Sequence, residues 1–565
     1  LFAPVALTIV LALASSALIA FTVVPALASL LLRSHADHAP WLMRGLARAF
    51  ARLQVLSFAR PRLVFGIAAA ALAGAAALYL SVGKTFMPTL DEGDIIVQLQ
   101  KAPSISLAAS LDMDMRVQRA LLDSVPEIQS IVARLGSDDL GLDPMGLNET
   151  DSFLVLKPRS EWRGDKEAIA DAIRRVLDGF PGLIYGFTQP IEMRVSEMLT
   201  GARGDVAVKI FGPDLSALDA AAQAIAAHMR TVPGAAEVIA PSNSGVQYLK
   251  VSLNRAALGQ SGISGDALQA QLRALVEGER IGIVPEGMVR TPLIMRGGAA
   301  LRASPDNLQS LLIAAPGGAS WPLTSLATLT NQDGPVRIDH EDGARFAVVQ
   351  ANVQGRDLAG FVHDAQAAVA GDAGLKGLRI VWGGQFENQQ RAAARLALVV
   401  PLALAAIFVL LLLTFRSARQ ATLVIANIPF ALVGGIAALR ASGEYLSVPA
   451  SVGFIALLGI AVLNGVVLVS HFNALLGSGL PLPQAVRLGV RDRLRPVLMT
   501  ACITALGMVP LLLASGPGSE IQRPLAIVVA GGLVSATALT LLLLPLLFER
   551  FGLPRAIRAG SGESA

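Results

Sequence analysis

Seven long runs of apolar residues constrain this chain more than any other feature of its sequence. Each run holds about 20 residues with almost no charge, which is the length that a helix needs to cross ~30 Å of hydrocarbon. The composition agrees, because 53% of the 565 residues are hydrophobic and the mean hydropathy is +0.58. We therefore predict membrane-spanning helices over residues 4–32, 62–82, 395–415, 420–440, 448–472, 496–514 and 524–548.

The basic residues flank these runs. If the chain alternates across the membrane, all of its arginine-rich segments lie on one side: 33–62, 416–419, 487–495 and 550–558. Positive flanks of this kind mark the cytoplasmic side. They explain the pI of about 9.4 without a nucleic-acid partner. The long segment 83–394 then lies on the opposite face, which is the periplasmic face in a Gram-negative cell, and 549–565 is a cytoplasmic tail.

The loop over residues 33–61 contains a helical pattern. Arg44, Arg48 and Arg52 recur at every fourth position, whereas Leu46 and Phe50 fall mostly on another face. This pattern predicts an amphipathic helix on the inner membrane surface, with a plain helical linker as the alternative.

The segment 83–394 alternates strand and helix patterns, which indicates an α+β domain. The order β-α-β-β-α-β is that of a ferredoxin-like unit. Its predicted elements are the strand 94–103, the helix 106–124 with Ser106 as N-cap, the strands 128–135 and 152–158, the helix 165–180 and the strand 183–190.

A second unit of the same kind follows in two pieces, about 204–244 and 331–390, separated by an insertion over about 245–330. Residues 88–200 form the first unit. The stretch QPIEMRVSEMLTGARGDVAVK (189–209) joins the two units, and its charges and glycines predict a charged turn that forms a wall or a hinge of a cation-handling cleft between them.

Small and polar residues interrupt the C-terminal runs. Gly434, Gly435, Gly453 and Gly459 predict sites of close helix packing. The single cysteine, Cys502, lies inside a span and reads as a small apolar filler.

At this point the chain resembles a known family, the heavy-metal efflux branch (CzcA/CusA type) of the resistance–nodulation–cell division (RND) transporters. The resemblance covers nearly the whole chain in order. The matching stretches include PTLDEGD (88–94), LKPRSEW (156–162), QPIEMR (189–194), WGGQFE (382–387), IPFALVGG (428–435), GFIALLGIAVLNG (453–465) and RLRPVLMTA (493–501).

The resemblance implies the C-terminal half of a polytopic α-helical membrane protein, beginning at the sixth of twelve spans. The ferredoxin-like units would be periplasmic porter subdomains, and the insertion would dock towards an outer-membrane channel. It further implies a homotrimer in the bacterial inner membrane, a periplasmic adaptor protein, and export of divalent metal cations driven by protons. Such a protein is a secondary transporter, not an enzyme, and has no resident cofactor.

Several acids are candidate ligands for the metal. Divalent Zn²⁺, Co²⁺, Ni²⁺ and Cd²⁺ accept carboxylate ligands, whereas Cu(I) and Ag(I) prefer sulfur. In copper and silver members a methionine aligns with Glu197, so a carboxylate there favours a divalent ion. Surface pairing of Glu197 with a neighbouring arginine is the alternative. The further candidates are Glu149, Asp151, Glu192 and Asp205. The acidic run 91–94 is either a metal-attracting entrance or a solvated turn.

Proton transport requires ionisable or polar groups within the membrane. The middles of the C-terminal runs contain no Asp, Glu or Lys, so the candidates are Asn464, Thr500 and Arg493. Asn464 and Thr500 could equally serve as interhelical hydrogen-bonding groups. The acidic proton carriers of the family lie on a span outside this sequence.

Two other functions remain open. A multidrug RND permease would have a cleft rich in aromatic residues, but aromatic residues make up only 5% of the chain, and Leu463 stands where multidrug relatives have lysine. A non-transporting, truncated remnant is the second alternative. ATP hydrolysis is not expected, because the sequence has no GxxxxGK[ST] motif.

Overall fold

A computed structural model describes residues 3–31, 41–88, 90–137, 145–200, 204–240, 242–514, 516 and 518–552. Three helices come first: α1 (Ala3–Leu31), α2 (Trp41–Ala59) and α3 (Pro61–Ser81). Proline at the start of α3 fits the first helical position, where its missing N–H is not needed. No described side chain of α1 is buried.

The first α+β unit follows α3. It comprises β1 (Ile95–Gln100), α4 (Leu107–Ser124), β2 (Ile128–Leu135), β3 (Glu149–Leu156), a short 3₁₀ turn (Arg159–Glu161), α5 (Lys166–Leu177) and β4 (Ile184–Thr188). The strands form an antiparallel sheet in the order β2-β3-β1-β4. Ser106 caps α4, as predicted, and Asp165 caps α5. Apolar side chains of α4 and α5 pack on the sheet in one core.

The predicted turn after this unit is wrong, because Pro190–Thr200 forms a helix, α6. The carboxylate of Glu92 accepts hydrogen bonds from the N–H groups of Ile191 (2.6 Å) and Glu192 (2.9 Å) at the start of this helix. The side chain of Met193 is 1% exposed and anchors α6 to the protein. A carboxylate from a distant segment thus supplies the cap that the local sequence does not reveal.

The second α+β unit begins with β5 (Val206–Phe211), α7 (Leu215–Arg230) and β6 (Ala235–Ile239). The insertion follows, with the elements β7 (Val246–Leu253), α8 (Arg255–Ser261), α9 (Gly265–Val276), β8 (Glu279–Glu286), β9 (Val289–Met295), α10 (Ala299–Arg302), α11 (Pro305–Gln309), β10 (Leu312–Ala314), β11 (Ser320–Pro322), α12 (Leu323–Leu326) and β12 (Ala327–Gly334).

The unit is completed by β13 (Asp339–Glu341), β14 (Ala344–Val353), α13 (Leu358–Val369), a 3₁₀ turn (Ala373–Leu375) and β15 (Arg379–Gly384). Its sheet has the order β13-β14-β5-β15, and β6 also pairs with β14. The spatial order β6-β14-β5-β15 in this sheet therefore matches the order β2-β3-β1-β4 in the first unit. The core between this sheet and α7 and α13 is separate from that of the first unit.

The C-terminal part is a helix bundle with α14 (Gln385–Phe415), α15 (Ala418–Ile425), α16 (Ile428–Ser442), α17 (Val448–Gly477), α18 (Leu482–Leu513) and α19 (Ser519–Phe551). The described residues contain seven candidate spans, which coincide with the seven predicted runs. Two helices extend beyond their apolar runs, since α14 begins at Gln385 and α18 at Leu482. The fourth span is divided into α15 and α16 just before Pro429.

Glycines bring the bundle helices together, with α19 against α16, α17 and α18. A Cβ at Gly434 would lie 2.2 Å from the carbonyl oxygen of Gly531, so α16 and α19 touch backbone to backbone. Gly435 and Gly453 also pack closely, as predicted. For Gly459 the described residues show no close packing, since none of them lies within 4 Å of its Cβ position.

Candidate functional site

A cleft of about 330 Å³ opens between the two α+β units. Its polar lining residues come from both units, which is possible because α5 and α6 face the ends of β5, β6 and β14 across the gap. They are Asp91, Lys166, Glu167, Arg174, Thr188, Gln189 and Glu192 from the first unit and its connection, and Asp205, Glu237, Asn352 and Gln354 from the second.

Glu192 enters the cleft from the first turn of α6. Its side chain accepts a hydrogen bond from Gln189 Nε2 at 3.3 Å. Gln189 is itself held by Lys166, whose Nζ donates to Gln189 Oε1 at 2.5 Å, and by the backbone N–H of Glu92 at 3.0 Å. Three segments of the chain therefore fix where the Glu192 carboxylate lies. Among the described residues no Lys or Arg forms an ion pair with it.

Asp205 enters the same cleft from the residue before β5. Its carboxylate accepts hydrogen bonds from the N–H of Val353 (3.0 Å) and from Gln385 Nε2 (3.2 Å). Gln385 is the first residue of α14, so this carboxylate connects the cleft to the start of a membrane-spanning helix.

Burial, together with repulsion from a nearby carboxylate, raises the pKa of both carboxyl groups. Burial raises the pKa of Glu192 to about 7, and the nearby Asp205 carboxylate adds to the effect. Burial also raises the pKa of Asp205 to about 6, with a further contribution from Glu237. Lys166 lowers the pKa of Glu192 but does not outweigh burial. Two partly desolvated carboxyl groups in one cleft form a place where a divalent cation would gain favourable interactions.

Glu237 also belongs to this cleft, although it was not a candidate from the sequence. Its carboxylate accepts hydrogen bonds from Arg174 Nε (2.9 Å) and Asn352 Nδ2 (2.9 Å), and its side chain is 6% exposed. Arg174 and Glu237 come from different units, so their ion pair crosses the cleft. Glu237 also has φ +43°, an uncommon conformation for a residue other than glycine.

Asn352 also links the two units, because its Nδ2 donates to the carbonyl oxygen of Phe187, in the first unit, at 2.9 Å. The guanidinium of Arg174 lies 4.9 Å from the ring centroid of Phe187. We call Arg174, Glu237 and Asn352 the cross-unit latch. No local pattern in the sequence distinguishes its members from ordinary surface residues, because their pairing depends on how the units are placed.

The acidic run 91–94 is largely used for structure. Asp91 pairs with Lys166 at 3.1 Å and with Arg159. Burial opposes ionisation of Asp91, but hydrogen bonds from the Gly93 N–H and from Lys166 outweigh it and lower its pKa. Glu92 caps α6, and Asp94 accepts a hydrogen bond from the Leu156 N–H at 3.0 Å.

Glu149 and Asp151 lie away from the cleft, on β3. Asp151 is 1% exposed and pairs with Arg134 at 3.0 Å. Glu149 lines a different, small cavity of about 40 Å³ between the units, where Arg337 Nη1 is 3.7 Å away. The structure therefore brings Glu192 and Asp205 into one cavity but places Glu149 and Asp151 elsewhere.

Glu197 lies within α6, but its side chain is outside the described residues. The choice between metal ligation and surface pairing therefore stays a prediction. Among the described residues, no three His, Cys, Asp or Glu side chains are grouped closely enough to hold a metal ion.

The candidates for proton transport do not share one environment. Asn464 is 4% exposed, and its Nδ2 has no hydrogen-bond partner among the described residues. Thr500 is exposed and donates to the carbonyl oxygen of Pro496 on its own helix at 3.0 Å. Arg493 is half-buried, and within the part of the chain that the structure describes its Nε has no partner. A buried pair that the sequence reading missed, Asn427 with Thr540, joins two bundle helices.

The sequence matches the AcrB/AcrD/AcrF family over residues 1–552, and the chain belongs to this family. Its similarity to metal-resistance proteins assigns it to the heavy-metal efflux branch of the RND superfamily. It is 39% identical to the cobalt-zinc-cadmium resistance protein CzcA of Cupriavidus metallidurans, over 97% of this chain and 53% of that protein. It is 32% identical to the cation efflux system protein CusA of Escherichia coli, over 98% of this chain and 54% of that protein.

The fold agrees with this relationship. A crystal structure described as a heavy metal efflux pump superposes with a TM-score of 0.81 at 35% identity, covering 91% of this chain and 53% of that one. The chain thus spans about half the length of the proteins that it matches.

Proposed function

We propose that this chain is part of a proton-driven permease that exports divalent metal cations, with the cleft as the cargo site. The observation that carries the proposal is the pair Glu192 and Asp205, two carboxylates with raised pKa in one cleft. Oxygen ligands suit Zn²⁺, Co²⁺, Ni²⁺ and Cd²⁺ better than Cu(I). Glu197, Glu149 and Asp151 remain further candidate ligands. The cation is transported substrate, and no resident cofactor is proposed.

The cellular setting is also a proposal. The two units, each with the strand order of a ferredoxin-like domain, would be periplasmic porter subdomains of an inner-membrane protein. The insertion would dock towards an outer-membrane channel in a tripartite system with a periplasmic adaptor and a homotrimeric permease. The names of the relatives and the arginine-rich flanks of the spans support this arrangement.

The multidrug alternative receives no support from the cleft. Phe187 is the one aromatic side chain among the described residues that line it, and it lies against Arg174. An apolar drug would require a mainly hydrophobic lining.

Calorimetric titration of the whole chain in detergent tests the proposal. The protein would be titrated with Zn²⁺, Co²⁺, Ni²⁺, Cd²⁺ and Cu(I) at pH 7.5 and pH 5.5. We expect divalent binding at the higher pH that weakens at the lower pH, because protons compete for both carboxylates. Glu192→Gln with Asp205→Asn should abolish it, while the exposed control Glu161→Gln should not. Binding that survives the double substitution would contradict the site, and equal preference for Cu(I) would contradict the divalent assignment.

A further inference from the structure

A second cavity, of about 790 Å³, lies among the membrane-spanning helices α3, α14, α16 and α17, apart from the cleft. We call it the helix groove. Most of its lining is apolar, from side chains such as Leu396, Val400, Leu432, Phe454 and Leu458. Its polar lining residues are Tyr79, Lys84, Thr85, Gln389, Ser447 and Ser451.

The polarity of the helix groove changes with depth. The polar residues cluster where α3 ends and where α14 and α17 begin, which is the end of the bundle that carries the α+β units. Along α17 the lining continues from Val448 to Leu458. These ten residues rise about 15 Å at ~1.5 Å per residue, which is about half of the ~30 Å hydrocarbon layer. The groove is therefore about as deep as one leaflet.

The mouth has charges of both signs nearby, but the acid, Asp357, does not line the groove and accepts a hydrogen bond from the backbone N–H of Lys84 at 3.4 Å. Among the described lining residues Lys84 is the only charged side chain, and none is acidic. Its Nζ lies 5.4 Å from the ring centroid of Tyr79. A lysine and a tyrosine at the membrane interface, above an apolar slot, complement an amphiphile with an anionic headgroup and an acyl chain.

The mouth is also a joint between the bundle and the α+β units. The N–H of Leu446 donates to the carbonyl oxygen of Gly83 at 2.8 Å, and the N–H of Thr85 donates to the carbonyl oxygen of Leu446 at 3.2 Å. The N–H of Ala359, in the second unit, donates to the carbonyl oxygen of Lys84 at 3.4 Å. The segment around Lys84 thus connects α3, the α16–α17 loop and the second unit.

We propose that the helix groove binds one anionic glycerophospholipid from the leaflet next to the α+β units. The phosphate pairs with Lys84 at the mouth, and an acyl chain occupies the apolar slot between α14 and α17. A lipid in this position braces the joint at Gly83–Thr85. The proposal does not depend on metal transport.

Native mass spectrometry of the delipidated whole chain tests this site. The protein would be titrated with phosphatidylglycerol and with phosphatidylcholine that has the same acyl chains. We expect one phosphatidylglycerol to bind more tightly than phosphatidylcholine. Lys84→Gln should weaken phosphatidylglycerol binding about fivefold and remove the preference. Ala392→Phe, which fills the slot, should weaken both lipids.

Two matched variants serve as controls. Arg440→Gln removes an exposed cation from the same end of the bundle, and Leu398→Phe enlarges an exposed side chain on α14; neither residue lines the groove. Neither control should change binding. Equal affinity for the two lipids with no effect of Lys84→Gln would overturn the headgroup assignment. If Ala392→Phe binds lipid as well as Leu398→Phe does, the groove is not the site.

Discussion

Asp114 and Glu192 are both acids in the α+β units, but among the described residues only Asp114 forms a direct ion pair, whereas Lys166 acts on Glu192 from a greater distance. Lys101 Nζ lies 2.7 Å from Asp114 Oδ1, within the core of the first unit, and both side chains are at most 3% exposed. Lys101 also donates to Ser110 and Thr150, at 2.8 Å and 2.7 Å. Glu192 has an amide neighbour and a second acid across the cleft.

The difference separates a charge paired within the protein core from the acids that we propose as a cation site. In the core cluster, Lys101 Nζ donates to Asp114 Oδ2 at 2.9 Å as well as to Ser110 and Thr150, so the two opposite charges are in direct contact. In the cleft, burial makes the ionised forms of Glu192 and Asp205 unfavourable. Binding of a proton or of a metal cation would neutralise this charge. The cross-unit latch lies between these two cases, because Glu237 is paired with a cation, Arg174, but that cation belongs to the other unit.

The largest expected effect comes from Lys101→Met, which leaves Asp114 as a buried charge without a cation. We expect the first unit to lose about 3–5 kcal/mol of its free energy of unfolding. Hydrogen exchange of the β1 and β3 amides would measure the loss. The double variant Lys101→Met with Asp114→Leu should recover most of it. A single variant that exchanges like the unchanged protein would disprove the structural role of this pair.

A smaller effect is expected for the cross-unit latch. Arg174→Met leaves the Glu237 carboxylate with only Asn352 as a partner, at a cost of about 2 kcal/mol. Hydrogen exchange should rise at β4 and β6, where the units meet, and not at β2. Asp171→Asn is the matched control, since Asp171 also pairs with Arg174 but lies on the same helix and is 59% exposed. Increased exchange that is uniform over both units would argue against a latch.

The smallest effect concerns the pH dependence that Glu192 contributes. Its pKa is raised from 4.5 to about 7, so the folded chain retains a proton that the unfolded chain releases in this interval. The free energy of unfolding should therefore fall as pH rises from about 4.5 to about 7. A fully buried group with this shift would contribute about 3 kcal/mol, but the Glu192 side chain is only partly buried, so we expect on the order of 1–2 kcal/mol. Glu192→Gln should remove this fall.

Thermal unfolding midpoints of the whole chain at pH 5 and pH 8 would measure this pH effect. The difference between the two midpoints should be smaller in Glu192→Gln than in the unchanged protein, with Glu161→Gln as the exposed control. An unchanged difference would mean that the Glu192 carboxyl group titrates like an exposed acid.

Much of the architecture was predictable because its signals are local. The seven apolar runs correspond to the seven candidate spans. Ser106 and Asp165 start their helices as expected, since an N-cap acts within a few residues. The differences from prediction have tertiary causes. Residues 190–200 form a helix because Glu92, distant in sequence, caps it, and the lack of described neighbours around Gly459 depends on which face of α17 meets another helix.

The candidate site shows the same division. The sequence put Glu197 first and named Glu149, Asp151, Glu192 and Asp205 together as further candidate ligands, without a way to decide which of them share a cavity. Glu237 was missed because its partner Arg174 is 63 positions away on another unit.

The amino-acid sequence by itself determined the candidate membrane spans, the alternation of strands and helices, and the family. The length of the apolar runs, the periodicity and the order of the motifs are all properties of consecutive residues. Only the tertiary structure decided which acids share a cleft, which have cations and where the helix groove opens. The physical reason is that the ionisation of a carboxyl group and the shape of a cavity depend on neighbours from distant segments.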